Sequence, residues 1–200
     1  MFIIMCKRIL FLVFSIFISF NLNAETIDLN QESQNVIEKK VLDPKNTLYI
    51  ELKDGIVVAE LFPEIAPMHV QRIKKLASAG FYDNVKFHRV IEGFMAQTGD
   101  PLGNGTGGSG KKLDAEFNTK PHVRGAVSMA RAADPNSADS QFFICFKDSH
   151  FLDGQYTVWG QVISGMQYVD NIKRGDERNN GTVIDPDKII SMKVVADIKK

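Results

Sequence analysis

The chain has 200 residues and balances 24 Lys+Arg against 24 Asp+Glu, for a formal net charge of zero. That length holds one domain with a real core and a short appendage. The even charge argues against a domain that lives on nucleic acid, which would carry a basic excess. Two cysteines, Cys6 and Cys145, cannot build a disulfide framework or a four-ligand zinc site.

The N-terminus differs from the rest. Five of the 14 Phe lie in the first 20 residues, and no Asp or Glu occurs before Glu25. Lys7 and Arg8 precede an apolar run from Ile9 to Phe20, broken only by Ser15 and Ser19. The run suits a secretory signal and is short of the roughly 20 residues that span a bilayer. Asn21 and Asn23 then lead to Ala24, a small residue that fits a cleavage site. Residues 1–24 are therefore read as a signal peptide, with the start at Met1 or Met5 left open. The alternatives are an uncleaved membrane anchor and a buried core helix. Cleavage would remove Lys7, Arg8 and Cys6, leaving 22 basic against 24 acidic side chains and a charge of −2. Cys145, amid Phe142, Phe143 and Ile144, then reads as a small buried apolar group.

Residues 25–46 form a polar, loosely ordered lead-in, and the domain proper is expected over 47–200. Thr47 to Leu52 alternates Leu48, Ile50 and Leu52 against Thr47, Tyr49 and Glu51. Asp54-Gly55 turns the chain into a second run, Ile56 to Phe62, so a hairpin is expected. A helix is expected over 66–79: Pro67 suits its first turn, Val70, Ile73, Leu76 and Ala77 make the inner stripe, and Gln71, Arg72, Lys74 and Lys75 point away. A second, weaker helix runs from Met166 to Lys173. Short β runs fall at 85–91, 94–98, 126–130, 141–146, 157–163 and 188–197. Many short strands, turn residues between them and two helices predict a closed, mainly β, antiparallel barrel.

Several motifs are discarded. Gly103 to Gly108 spells the dinucleotide fingerprint, but Pro101 precedes it and Ser109-Gly110-Lys111-Lys112 follows it, so the strand and helix that reading needs are missing. A flexible surface loop is expected instead. Asn104-Gly-Thr106 and Asn180-Gly-Thr182 fit the glycosylation triplet, which chance often supplies. His69, His88, His122 and His150 lack metal-ligand spacing and are read as surface or supporting residues.

Two stretches stand apart from ordinary core. In Phe87 to Asp100, Arg89 sits within a β run, and Met95 and Gln97 share one strand face. In Ser137 to Ile144, Gln141 and Phe143 do the same. Together they would line a surface both apolar and rich in hydrogen-bond donors.

These stretches resemble the cyclophilin family of peptidyl-prolyl isomerases. The family pattern F-H-R-x-I-x-G-F-M-x-Q-x-G-D is matched by Phe87 to Asp100, and S-Q-F-F-I-C by Ser140 to Cys145. Gly125 to Ala130 and Leu152-Asp153-Gly154 match as well. The resemblance spans about residues 45–198 and implies an eight-stranded antiparallel barrel capped by two helices. It implies Arg89 as the catalytic residue, with Phe94, Met95, Phe143 and Leu152 around the proline ring. Gln97 and Gln141 would position substrate, and Ala130 and Arg131 would offer backbone contacts. Phe151, Tyr156 and Arg131 stand where the best-known eukaryotic members carry Trp, His and Asn, as in bacterial secreted members. Without an indole N–H at Phe151, cyclosporin binding is expected to be weak. The expected protein is a periplasmic, monomeric isomerase acting on proline-containing polypeptides and assisting exported proteins to fold. It needs no cofactor or metal, binds no nucleic acid and keeps no membrane insertion after signal cleavage. The rival reading is a chaperone or adaptor that holds proline segments, with turnover incidental.

Overall fold

The computed structural model describes residues 42–198. The proposed signal peptide and most of the lead-in lie outside that range. Where the lead-in is described, it is ordered: the Asp43 carboxylate accepts from Lys45 N and caps a 3₁₀ turn at Pro44–Asn46. Among the described residues no helix is long and apolar enough to cross a membrane.

The first strand, β1, is Thr47–Leu52, and it forms a hairpin with β2, Gly55–Leu61. The other strands are β3 (Arg89–Ile91), β4 (Met95–Thr98), β5 (Ala126–Met129), β6 (Phe142–Cys145), β7 (Val158–Ser164) and β8 (Ser191–Val194). All pair antiparallel in one sheet of order β3-β4-β6-β5-β7-β2-β1-β8. The sheet is therefore open and curled, and β3 and β8 are its edges, which corrects the expectation of strand-to-strand closure. The run expected at 85–91 shrinks to three residues because residues 84–88 leave the ladder. They bond instead to an irregular segment: Phe87 N donates to Asp187 O at 2.9 Å and Ile189 N to Val85 O at 2.9 Å. Pro186 lies in that segment and has no N–H to give to a ladder. Bulges at Val58/Ala59 and Val127/Ser128 add local bend to the sheet.

Helix α1 is Pro67–Ser78, close to the expected range, and α2 is the shorter Met166–Asp170. The inner stripe of α1 holds Val70, Ile73 and Ala77 as expected. Arg72 does not point away. It is buried, and its Nη1 donates to Lys111 O (2.6 Å) and Ser109 Oγ (3.0 Å) with Asp139 Oδ1 at 3.4 Å. Its long stem packs under the loop while its head meets acceptors that periodicity could not foresee. Ala66, at the N-cap, has no side chain to satisfy the first helical N–H groups. Glu116 does so from another segment, accepting from Met68 N at 3.0 Å and His69 N at 2.9 Å.

Two apolar clusters share the strands. The larger fills the inside of the curl, with Leu48, Ile50, Ile73, Tyr82, Phe87, Phe142, Ile144 and Trp159 among its buried members. The smaller lies on the opposite face and contains Met95, Ala126, Phe143, Cys145 and Leu152. Alternation on one strand feeds both: on β6, Phe142 and Ile144 go inward, while Phe143 and Cys145 go outward. Burial pushes the Cys145 thiol up to about 12, so it stays protonated, in keeping with a small apolar group.

Candidate active site

Strand register brings the outward-facing residues into a row. Arg89 on β3 is opposite Gln97 on β4, Gln97 is opposite Phe143 on β6, and Phe143 is opposite Ser128 on β5. Directly opposed residues share a face, so these four side chains line up across neighbouring strands. Above the row is a cleft of about 280 Å³. Met95, Phe143 and Leu152 are its buried apolar residues, and Phe94, Phe151 and Tyr156 are its aromatic walls. Phe94 and Phe151 pack with their rings tilted at 44° and centroids 5.3 Å apart, and the Phe143 ring meets Tyr156 edge-on at 5.9 Å. Arg89, Gln97, Ala130 and Arg131 supply the rest of the lining. Gln141 stands just behind: its Oε1 accepts from Gln97 Nε2 at 2.9 Å.

Arg89 is held rather than free. Its Nη1 donates to Gln97 Oε1 (3.1 Å), its Nε to Asn180 O (3.0 Å) and its Nη2 to Asn180 Oδ1 (3.0 Å). A guanidinium has five N–H donors. One N–H on each terminal nitrogen therefore has no partner among the described residues. Burial lowers the Arg89 pKa from its ordinary value, yet an arginine stays charged at neutral pH. Asn180 was singled out in the sequence only as part of a glycosylation triplet. Its left-handed backbone (φ 51°) turns both its carbonyls toward Arg89, and no sequence signal short of that turn would have found it.

The glycine-rich loop is organised around one carboxylate. Asp100 accepts from Leu102 N (2.8 Å), Asn104 N (3.0 Å) and Gly105 N (2.6 Å), and these backbone bonds draw its pKa down against the cost of burial. A side chain at Gly107 would put its Cβ 2.1 Å from Asp100 Oδ1, and at Gly99 (φ +86°) 2.3 Å from Ser140 O. Those glycines allow close packing rather than phosphate binding. Gln141 Nε2 donates to Gly105 O (3.0 Å) and Gly107 O (2.8 Å). One chain of contacts thus runs from the loop through Gln141 and Gln97 to Arg89.

A second support lies under Phe143. His122 stacks on that ring, centroids 6.2 Å apart. Its Nδ1 faces Asp153 Oδ1 at 2.8 Å and its Nε2 faces Ser128 Oγ at 3.0 Å. Burial lowers the His122 pKa and outweighs the nearby carboxylate, while the bonds from His122 hold Asp153 down to about 2. Of the four histidines read as surface or supporting residues, His150 is exposed, while His69, His88 and His122 are buried, His122 as a support for Phe143. Among the described residues no cluster of His, Cys, Asp and Glu could hold a metal. Arg131 packs its guanidinium carbon 4.6 Å from the Tyr156 ring centre and donates to Gln155 O, so it braces the wall.

Residues 47–194 match the family described as cyclophilin type peptidyl-prolyl cis-trans isomerase/CLD. The chain belongs to the cyclophilin family. A probable peptidyl-prolyl cis-trans isomerase of Brucella suis is 56% identical over 169 residues, covering 78% of this chain and 86% of that one. A crystal structure of a cyclophilin from Hirschia baltica superposes with a TM-score of 0.70 at 32% identity, covering 79% of this chain and 77% of that one. A Cryptosporidium parvum cyclophilin, crystallised in the presence of the dipeptide Ala-Pro, gives 0.68 at 32% identity and covers 74% and 98%. The activity of this cyclophilin is thus rotation about X-Pro bonds. Such rotation crosses a barrier of about 20 kcal/mol that arises from the partial double-bond character of the bond.

Proposed function

We propose that the Arg89 cleft is where this cyclophilin turns X-Pro bonds, with the proline ring of a polypeptide seated against Met95, Phe143 and Leu152. At the twisted midpoint conjugation is lost, and the proline nitrogen exposes a lone pair that the planar ground state lacks. A fixed cationic donor beside it stabilises the midpoint more than the substrate, which is the condition for catalysis. The observation that carries this reading is the clamped Arg89 with two N–H groups unpartnered at the rim of an apolar cleft. Gln97 and Asn180 fix its direction in advance, so little reorganisation is needed when the bond turns. Gln97, Gln141 and the backbone of Ala130 and Arg131 hold the flanking peptide. Phe151 and Tyr156 close the slot, and the missing indole at Phe151 leaves cyclosporin weakly bound. The fixed donor favours catalysis over passive holding of proline segments.

Arg89→Ala tests this. Loss of one fixed donor to developing charge lowers kcat/KM by about 10²- to 10³-fold, read by NMR exchange on an X-Pro peptide, with thermal unfolding unchanged. A variant that turns the peptide at the wild-type rate removes Arg89 from the mechanism.

We further propose that the enzyme acts in the periplasm on exported chains, as a monomer. The support is the basic pair and apolar run of residues 7–20 followed by Ala24. N-terminal sequencing of protein recovered from the periplasm is expected to begin at Glu25; a chain retaining residues 1–24 in the membrane would favour an anchor instead.

A further inference from the structure

A second, roomier cavity lies outside the proline cleft. It is a groove of about 750 Å³ between α1 and residues 109–114. Met68, Leu76 and Leu113 give it an apolar floor, and Met68 is substantially exposed. Lys75, Lys111 and Lys112 stand around it, all exposed. None of the three has a carboxylate within ion-pair distance among the described residues, whereas Lys53 and Lys193 are paired. Arg72 also borders the groove, but its charge is committed to Asp139 and the loop. The one carboxylate in the lining is Asp114. A patch of unpaired positive charge over an apolar floor is built into a chain with no net charge.

The groove neighbours the site through shared lining residues. A second cavity of about 310 Å³ shares Gln97, Ala130 and Arg131 with the proline cleft, and shares Lys112 with the groove. A polypeptide seated in the cleft and leaving past Arg131 is thus led to Lys112 and on to Lys111 and Lys75.

We propose that this groove binds acidic residues of the polypeptide whose proline occupies the cleft, on one side of that proline. The inference rests on the isomerase reading of the Arg89 cleft and adds a substrate class to it: proline segments flanked on one side by Asp or Glu interspersed with apolar residues. The lysines meet the carboxylates, and the floor of Met68, Leu76 and Leu113 takes the apolar side chains.

The test compares X-Pro peptides with a glutamate run on the N-terminal side, the same run on the C-terminal side, and matched glutamine runs. Turnover is read by NMR exchange and binding by calorimetry. One glutamate peptide is expected to exceed its glutamine partner about tenfold in kcat/KM, as several partly exposed ion pairs would give. The advantage should vanish at about 1 M salt, where the screening length falls to about 3 Å. In Lys75→Glu/Lys111→Glu the glutamate-to-glutamine ratio should drop to one or below, and in Lys75→Arg/Lys111→Arg it should persist. A ratio of one in the wild type, an equal gain on both sides of the proline, or a gain untouched by the double Glu variant overturns the proposal. Absence of turnover on every peptide would overturn the isomerase reading of the cleft instead. The calorimetric ratio would then still decide the groove.

Discussion

Phe142 and Phe143 are neighbours on β6, yet they occupy opposite chemical settings. Phe142 is fully buried in the inner cluster, meeting Tyr82 at 5.6 Å and Trp159 at 5.4 Å, both edge-on. Phe143 faces outward, backed by His122 and flanked by Tyr156, with its remaining side toward the cleft. The inner ring is enclosed by the protein's own side chains. The outer ring has partners on some sides only and lines the cleft with the rest. On the proposed reading of the cleft, the same residue type, one position apart, serves stability in one case and recognition in the other.

The comparison can be broken most forcefully at Phe142. Phe142→Ala should cost about 3–5 kcal/mol of stability, as for a buried aromatic ring that leaves a cavity, while the remaining folded molecules keep their kcat/KM. Urea unfolding together with activity per folded molecule checks both halves. Phe143→Ala should instead lower kcat/KM by about 10- to 100-fold, the worth of about 1.5–3 kcal/mol of ring burial now lost to the substrate. Unchanged peptide turnover would show that the two rings are both merely core. A finer probe is Asn180→Gly, which keeps the left-handed turn and the backbone acceptor but deletes the Oδ1 that holds Arg89. It should reduce kcat about fivefold, the worth of about 1 kcal/mol for one hydrogen bond, with KM little moved. An equal rise in KM would mean that Asn180 binds peptide rather than positioning Arg89.

The last probe changes no side chain. Burial holds the pKa values of His69, His88 and His122 below the ordinary value. The unfolded chain thus takes up protons near pH 6.5 that the native state refuses. Stability should be level from about pH 7.5 to about 8, fall as pH drops below about 6.5, and fall further below about 4 as Asp153, held down to about 2, is protonated. Stability that stays flat from pH 7 to 5 would show that these imidazoles are already charged when folded.

Much of this was legible in the sequence because it depends on local pattern. Strand β1 begins and ends as read, since Leu48, Ile50 and Leu52 alternate without interruption. Arg89, Met95, Gln97 and Phe143 come together because each lies on the outward phase of a strand, while Phe94, Leu152 and Tyr156 join them from the segments between strands. What could not be read depends on contacts distant in the chain. Arg72 looks like a solvent residue until Asp139 and Lys111 close over it. Glu116 caps a helix that begins 49 residues earlier in the chain, at Pro67. Asn180 reaches Arg89 across a separation of 91 residues. The seam between β3 and β8 depends on an irregular segment whose path no periodicity encodes.

Trp159 is the only tryptophan in the chain and is wholly enclosed beside Phe142. Its indole emission will therefore report the opening of the interior and remain insensitive to a peptide settling on the far face of the sheet. One fluorophore thus separates loss of fold from loss of binding in every variant above, without a label.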